Sequence, residues 1–213
     1  MNAAALLVVG GQMPSAGHAH SGGIEEAVAA GLVADVDGLA VLLGARLAGS
    51  GLVGAGLAAA AAAGWDLARL DAEADARLPS PAQRAASRAQ GRALARAGAR
   101  AWPQRWPAGL GDAPHHPVAV GVCVGDPAGA ALAAAHLSIS GPATAALRLL
   151  GFDPLAVGAA LAGFAGRVET VAAGACAAVH DGRLPDDAAP WLDVLAEAHA
   201  KRARTGGVSL FAS

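Results

Sequence analysis

Tyrosine is absent from the 213 residues, phenylalanine occurs three times, cysteine twice, and Lys201 is the sole lysine. Cys123 and Cys176 lie far apart and share no C-x-x-C spacing, which excludes a disulfide framework and suits a reducing cytosol. Charged residues make up only 15% and the net charge is −2, so the chain carries no basic excess of the kind that makes nucleic acid a main partner. No charge at all occurs in residues 47–65 or 127–147. Both stretches approach the length of a membrane span. However, the first is rich in glycine and alanine, and the second is interrupted by His136, Ser138, Ser140 and Pro142. Small side chains contribute little to transfer into hydrocarbon, so both stretches are expected to be buried helices and no membrane partner is expected. Met1-Asn2-Ala3 has no basic run and reads as the start of a helix rather than a signal peptide. Also missing are G-x-x-x-x-G-K-[ST], H-E-x-x-H, G-x-S-x-G and any Cys/His cluster with zinc spacing. No catalytic residue, cofactor or enzyme activity is expected.

Hydrophobic residues amount to 54%, mostly alanine, enough for a folded core. A core poor in aromatics needs helices that approach closely. Period-two patterns are confined to short valine runs such as residues 118–124, and Ala/Leu stretches punctuated by Gly or Pro predict helices throughout. The expected helices cover residues 3–10, 21–32 (capped by Ser21), 35–47 (capped by Asp35 or Asp37), 51–64, 65–77, 81–101, 117–124, 127–151, 154–180 and 188–204. Ser80-Pro81, Asp126-Pro127 and Asp153-Pro154 are cap-plus-proline starts. Gly141-Pro142 predicts a bend or break in the long helix. The fold class is therefore all-α, a single domain built as a compact bundle of about ten helices, with a flexible tail over 206–213.

Few side chains suggest chemistry. His18 and His20, beside a Gly-rich loop, are the best pair for nickel or zinc, and His115-His116 is a weaker one. His136 on an apolar helix reads as a core histidine. Arg84, Arg88, Arg92, Arg96 and Arg100 recur every fourth residue and form a basic ribbon on a helix, with Ala85, Ala89, Leu94 and Ala97 available to face inward. The ribbon is either a solvated face or a docking strip for an acidic partner. Arg148 closes the uncharged stretch, at a helix C-terminus where a cation is favourable.

Three segments, in order, resemble the UreF family of urease accessory proteins. The first is Pro14-Ser15-Ala16-Gly17-His18-Ala19-His20-Ser21-Gly22-Gly23-Ile24-Glu25. The second is Arg84-Ala85-Ala86-Ser87-Arg88-Ala89-Gln90-Gly91-Arg92, similar to the family's R-x-x-S-x-x-Q-G-R. The third is His199 with the closing Ser209-Leu210-Phe211-Ala212-Ser213. A weaker match runs over residues 136–151, around Arg148. The Ala/Arg-rich style resembles the actinobacterial branch. The resemblance implies an all-α cytoplasmic homodimer without catalytic activity. It implies binding to a UreD/UreH-type scaffold and to the GTPase UreG, and through that complex to apo-urease during nickel insertion. The partner-binding candidates from these segments are Ser21, Glu25, Arg84, Arg88, Gln90, Gly91, Arg92, Arg148, Leu210 and Phe211. The competing expectation is a metallochaperone that holds nickel itself through His18 and His20.

Overall fold

Asn2, Asp35, Asp66, Ser80, Asp126 and Asp153 each turn a side-chain oxygen onto a backbone N–H just ahead in the chain. Each satisfies a donor that a helix start leaves open. In the computed structural model these caps begin α1 (Ala3–Val9), α3 (Val36–Arg46), α5 (Leu67–Arg77), α6 (Pro81–Ala101), α8 (Pro127–Leu150) and α9 (Pro154–Gly163). The remaining helices are α2 (Ile24–Ala29), α4 (Leu52–Ala62), α7 (His116–Val124), α10 (Ala165–His180) and α11 (Pro190–Arg204). The structure describes residues 2–11, 13, 20–107, 110–186, 190–206 and 210–211; among these there is no strand, and the all-α reading stands.

Two expected helix breaks are absent, one expected helix is split, and one start shifts. The break between α3 and α4 is instead one widened π turn, Leu47–Gly51, through which the helix continues. A Cβ at Gly51 would lie 2.7 Å from Ser138 Oγ, so glycine there lets α8 seat against the turn. Of the bend or break expected at Gly141-Pro142, the break does not occur: α8 runs on to Leu150, close to the expected end, with Pro142 buried inside it. Proline has no N–H to give the carbonyl of Ser138 four residues back. Arg46 Nε donates to that carbonyl instead, at 3.1 Å, while its Nη1 donates to Gly22 O. The single helix expected from 154 is split into α9 and α10, bent by 43°. Phe164 at the joint is buried, with the Arg167 guanidinium 5.0 Å over its ring. The start of α2 also differs: Gly23, at φ +89°, is its N-cap, and the Ser21 hydroxyl reaches Glu25 N at 3.5 Å from one turn earlier.

Helix α4 lies at the centre, packed by α7, α8 and α10. Its run Ala58, Ala59, Ala60 and Ala61 is buried, and a Cβ at Gly121 of α7 would overlap the carbonyl of Ala58. Small residues on both sides thus replace aromatic bulk by close backbone approach. Val36–Ala62 and Pro127–Leu150 are long and apolar enough to cross a membrane by length and composition. In this fold they pack on one another, with about half of each apolar window buried.

Candidate functional site

The segments that stood far apart in the sequence meet around one cavity of about 240 Å³. His20, Gly22 and Gly23 line it from the first segment, Ser87 and Gln90 from the second, and His199 from the third. His116, Arg46 and Pro142 complete the parts used below.

On one side, α6 clamps α5 and the approach to α7. Arg88 donates to Asp71 Oδ2 at 2.8 Å, Asp75 Oδ2 at 2.6 Å and Ala113 O at 2.9 Å. Arg84 donates to Leu78 O and Pro79 O at 2.6 and 2.8 Å. His115 is fully buried and closes a chain of hydrogen bonds. Its Nε2 donates to Asp75 Oδ1 at 2.9 Å, and its Nδ1 accepts from the Ser87 hydroxyl at 3.0 Å. That hydroxyl accepts in turn from His116 N at 3.1 Å. Burial lowers the His115 pKa and so favours this neutral form, against the pull of Asp75. Burial alone would raise the Asp75 carboxyl, but hydrogen bonds from His115 and Arg88 leave it below its ordinary value. Gly91 is buried, and a Cβ there would overlap the Pro114 carbonyl. Asp71, Asp75 and His115 are the one group of three metal-ligating side chains found together among the described residues. The Arg88 guanidinium already bridges both carboxylates as their cation.

The other side holds the chain's end. Glu25, nearly buried, accepts from Leu210 N at 3.0 Å and from Phe211 N at 3.2 Å with its two oxygens. His199 Nε2 donates to Phe211 O at 3.2 Å. Arg202 pairs with Glu26 at 2.6 Å and with Glu25 at 3.3 Å. Phe211 is therefore buried against the body, whereas Leu210 remains 70% exposed. At Leu210 and Phe211 the tail expected to be flexible is a held segment.

The candidates thus divide. Gln90, Gly91 and Ser21 are at or near the cavity, and Ser21 is fully buried. Arg84 and Arg88 are engaged internally and half-buried, so the exposed part of the five-arginine ribbon is Arg92, Arg96 and Arg100. Ala85 and Ala89, expected to face inward, are exposed, while Leu94 is buried. Arg148 is exposed in the last turn of α8, away from the cavity lining. His18 lies outside the described residues. Asp71, Asp75, Arg46 and Arg202 were not singled out from sequence. The i, i+4 spacing of Asp71 and Asp75, matching Arg84 and Arg88, was the only available signal for any of them.

Burial lowers the pKa of His20, with His199 adding to the effect, and takes His116 down to about 4, with His20 adding there. Below the ordinary value of 6.5 the unfolded chain binds protons that the folded imidazoles refuse, so stability is lost as pH falls through that value. The melting temperature is expected to fall from about pH 7 to about pH 5, at roughly 1.4 kcal/mol per pH unit for each proton involved. His116→Gln should make that slope shallower. A flat profile by circular dichroism would contradict this account.

The family model for UreF matches residues 33–165. The chain is 46% identical over 213 residues to a urease accessory protein UreF of Mycobacterium sp. strain JLS, covering 98% of this chain and 97% of that one. It is 45% identical to the UreF of Mycolicibacterium vanbaalenii, covering 99% and 98%, and 40% identical to that of Mycobacterium tuberculosis H37Ra, covering 93% and 94%. The chain belongs to the UreF family of urease accessory proteins.

Proposed function

We propose that this chain is a non-enzymatic docking module of urease maturation, working in the cytoplasm as a homodimer. It links a UreD/UreH-type scaffold to the GTPase UreG and modulates GTP hydrolysis while nickel is inserted into apo-urease. The observation that carries this reading is the convergence of the three family-like segments on one cavity, with the side chains between them used to hold chain to chain. Such a unit builds surfaces rather than a reaction centre. Size-exclusion chromatography with light scattering tests it, using the chain with its cognate scaffold and with UreG, GTP analogue and magnesium. A ternary complex is expected; a chain that elutes alone beside both partners would overturn the reading.

The homodimer has a face available. Helix α9 is apolar all round, yet Val157 is its one buried residue and Leu155 is 82% exposed. A helix without a polar face is normally covered. Leu155→Glu is expected to convert the dimer to monomer in light scattering without lowering the melting temperature; an unchanged dimer mass would place the interface elsewhere.

A second reading, nickel held by the chain itself, gains one observation. His20 faces the same cavity as His116 and His199, and the His116 Nε2 atom is buried without a hydrogen-bond partner. A neutral imidazole is the form that binds metal. Calorimetry with nickel on wild type and on His20→Ala decides: absence of heat, or heat unchanged by the substitution, rejects it.

A further inference from the structure

The arginines of α6 divide once the chain is folded. Arg84 and Arg88 are turned onto carbonyls and onto Asp71 and Asp75, while Arg92, Arg96 and Arg100 are exposed. None of these three has an acidic partner among the described residues. The opposite face of the same helix is buried at Gly91, Leu94, Ala95 and Gly98, so the helix is fixed in rotation and the three side chains are held outward. Their backbone positions are about 6 Å apart along the axis, a span of about 12 Å. Ala85 and Ala89 continue the same exposed face with small side chains. Three like charges at this spacing repel one another, and nothing within the described fold relieves them.

We propose that Arg92, Arg96 and Arg100 form a docking strip for an acidic protein surface, one that presents carboxylates at the i, i+4, i+8 spacing of a helix. Charge complementarity selects this occupant. Ala85 and Ala89 leave room for the partner's backbone to lie close at one end. A nucleic acid fits less well: the strip has three charges in a chain of net charge −2, with no exposed aromatic among them for a base to stack on. The proposal rests on the adaptor reading above, and the test separates the two.

The triple variant Arg92→Glu, Arg96→Glu, Arg100→Glu is compared with wild type by biolayer interferometry. Cognate UreG, UreD/UreH-type scaffold, apo-urease and a duplex DNA are each immobilised separately, at about 50 and about 200 mM salt. A triple alanine variant is run alongside, because it removes the charges with no cost in helix propensity. For one of the three partners, the reversal should weaken binding about tenfold or more, and the wild-type affinity should fall with salt. If both variants bind every partner as wild type does, the strip proposal fails while the adaptor reading survives. If they lose only binding to duplex DNA, the occupant is nucleic acid and the proposal is likewise overturned. If wild type binds none of the three, the adaptor reading itself fails, and the strip with it.

Discussion

Gly91→Ala is expected to lower the melting temperature by roughly 6–12 °C, corresponding to about 3 kcal/mol in a chain of this length. The added methyl group would overlap the carbonyl oxygen of Pro114 and lie 2.9 Å from its carbon. Both atoms are backbone, so the strand of chain leading into α7 has to move as a whole. That movement pulls His115 N from Asp71 at 2.8 Å, and the imidazole from both Ser87 and Asp75. Burying a polar group without its partner adds to the overpacking cost. Circular dichroism melts check the value, with Ala89→Ser on the exposed face of the same helix as the neutral control. A melting point for Gly91→Ala equal to that of the control would mean that α6 and the Pro114 segment are not packed as described. The close approach of the Pro114 segment to the helix is a packing reason for glycine at this position.

Glu25→Ala should destabilise the chain by about 3 kcal/mol and free its end. The carboxylate receives two backbone N–H groups, from Leu210 and Phe211, and stands beside Arg202. Removing it leaves those donors and part of the guanidinium charge without compensation in a site where Glu25 itself is only 6% exposed. Glu26 stays to pair Arg202, which limits the loss. Limited proteolysis followed by mass spectrometry should show cleavage near residues 205–213 in the variant under conditions that leave wild type intact. Glu25→Gln keeps one acceptor oxygen and should fall between the two. Equal resistance of Glu25→Ala and wild type would show that the clamp does not hold the chain's end.

The helices were legible because their signals act over a few residues. Ser80-Pro81, Asp126-Pro127 and Asp153-Pro154 cap and open helices with atoms that lie within one turn, so the local sequence already contains both partners. The family was legible for a related reason: its segments keep their spacing along the chain. What the arginines do was not legible. Whether a guanidinium meets water or a carboxylate depends on which helix lies alongside, and Arg88 finds its acids on α5, with Ala113 beyond α6. Pro142 predicted a bend or break because its own missing N–H is a local fact. The donor that replaces it comes from Arg46, 92 residues away from Ser138. Phe211 read as a loose apolar anchor, because the carboxylate that receives its N–H is 186 residues upstream.

By itself, then, the sequence determined that the chain is all helical, where most helices begin, and which family it belongs to. These follow from capping, periodicity and motif order, all properties of neighbouring residues. Only the tertiary structure decided that three distant segments line one cavity, that the chain's end is clamped, and that three of the five arginines of α6 are exposed without an acidic partner while two are paired inward. Each of these depends on electrostatic and packing partners that are brought together only when the helices pack.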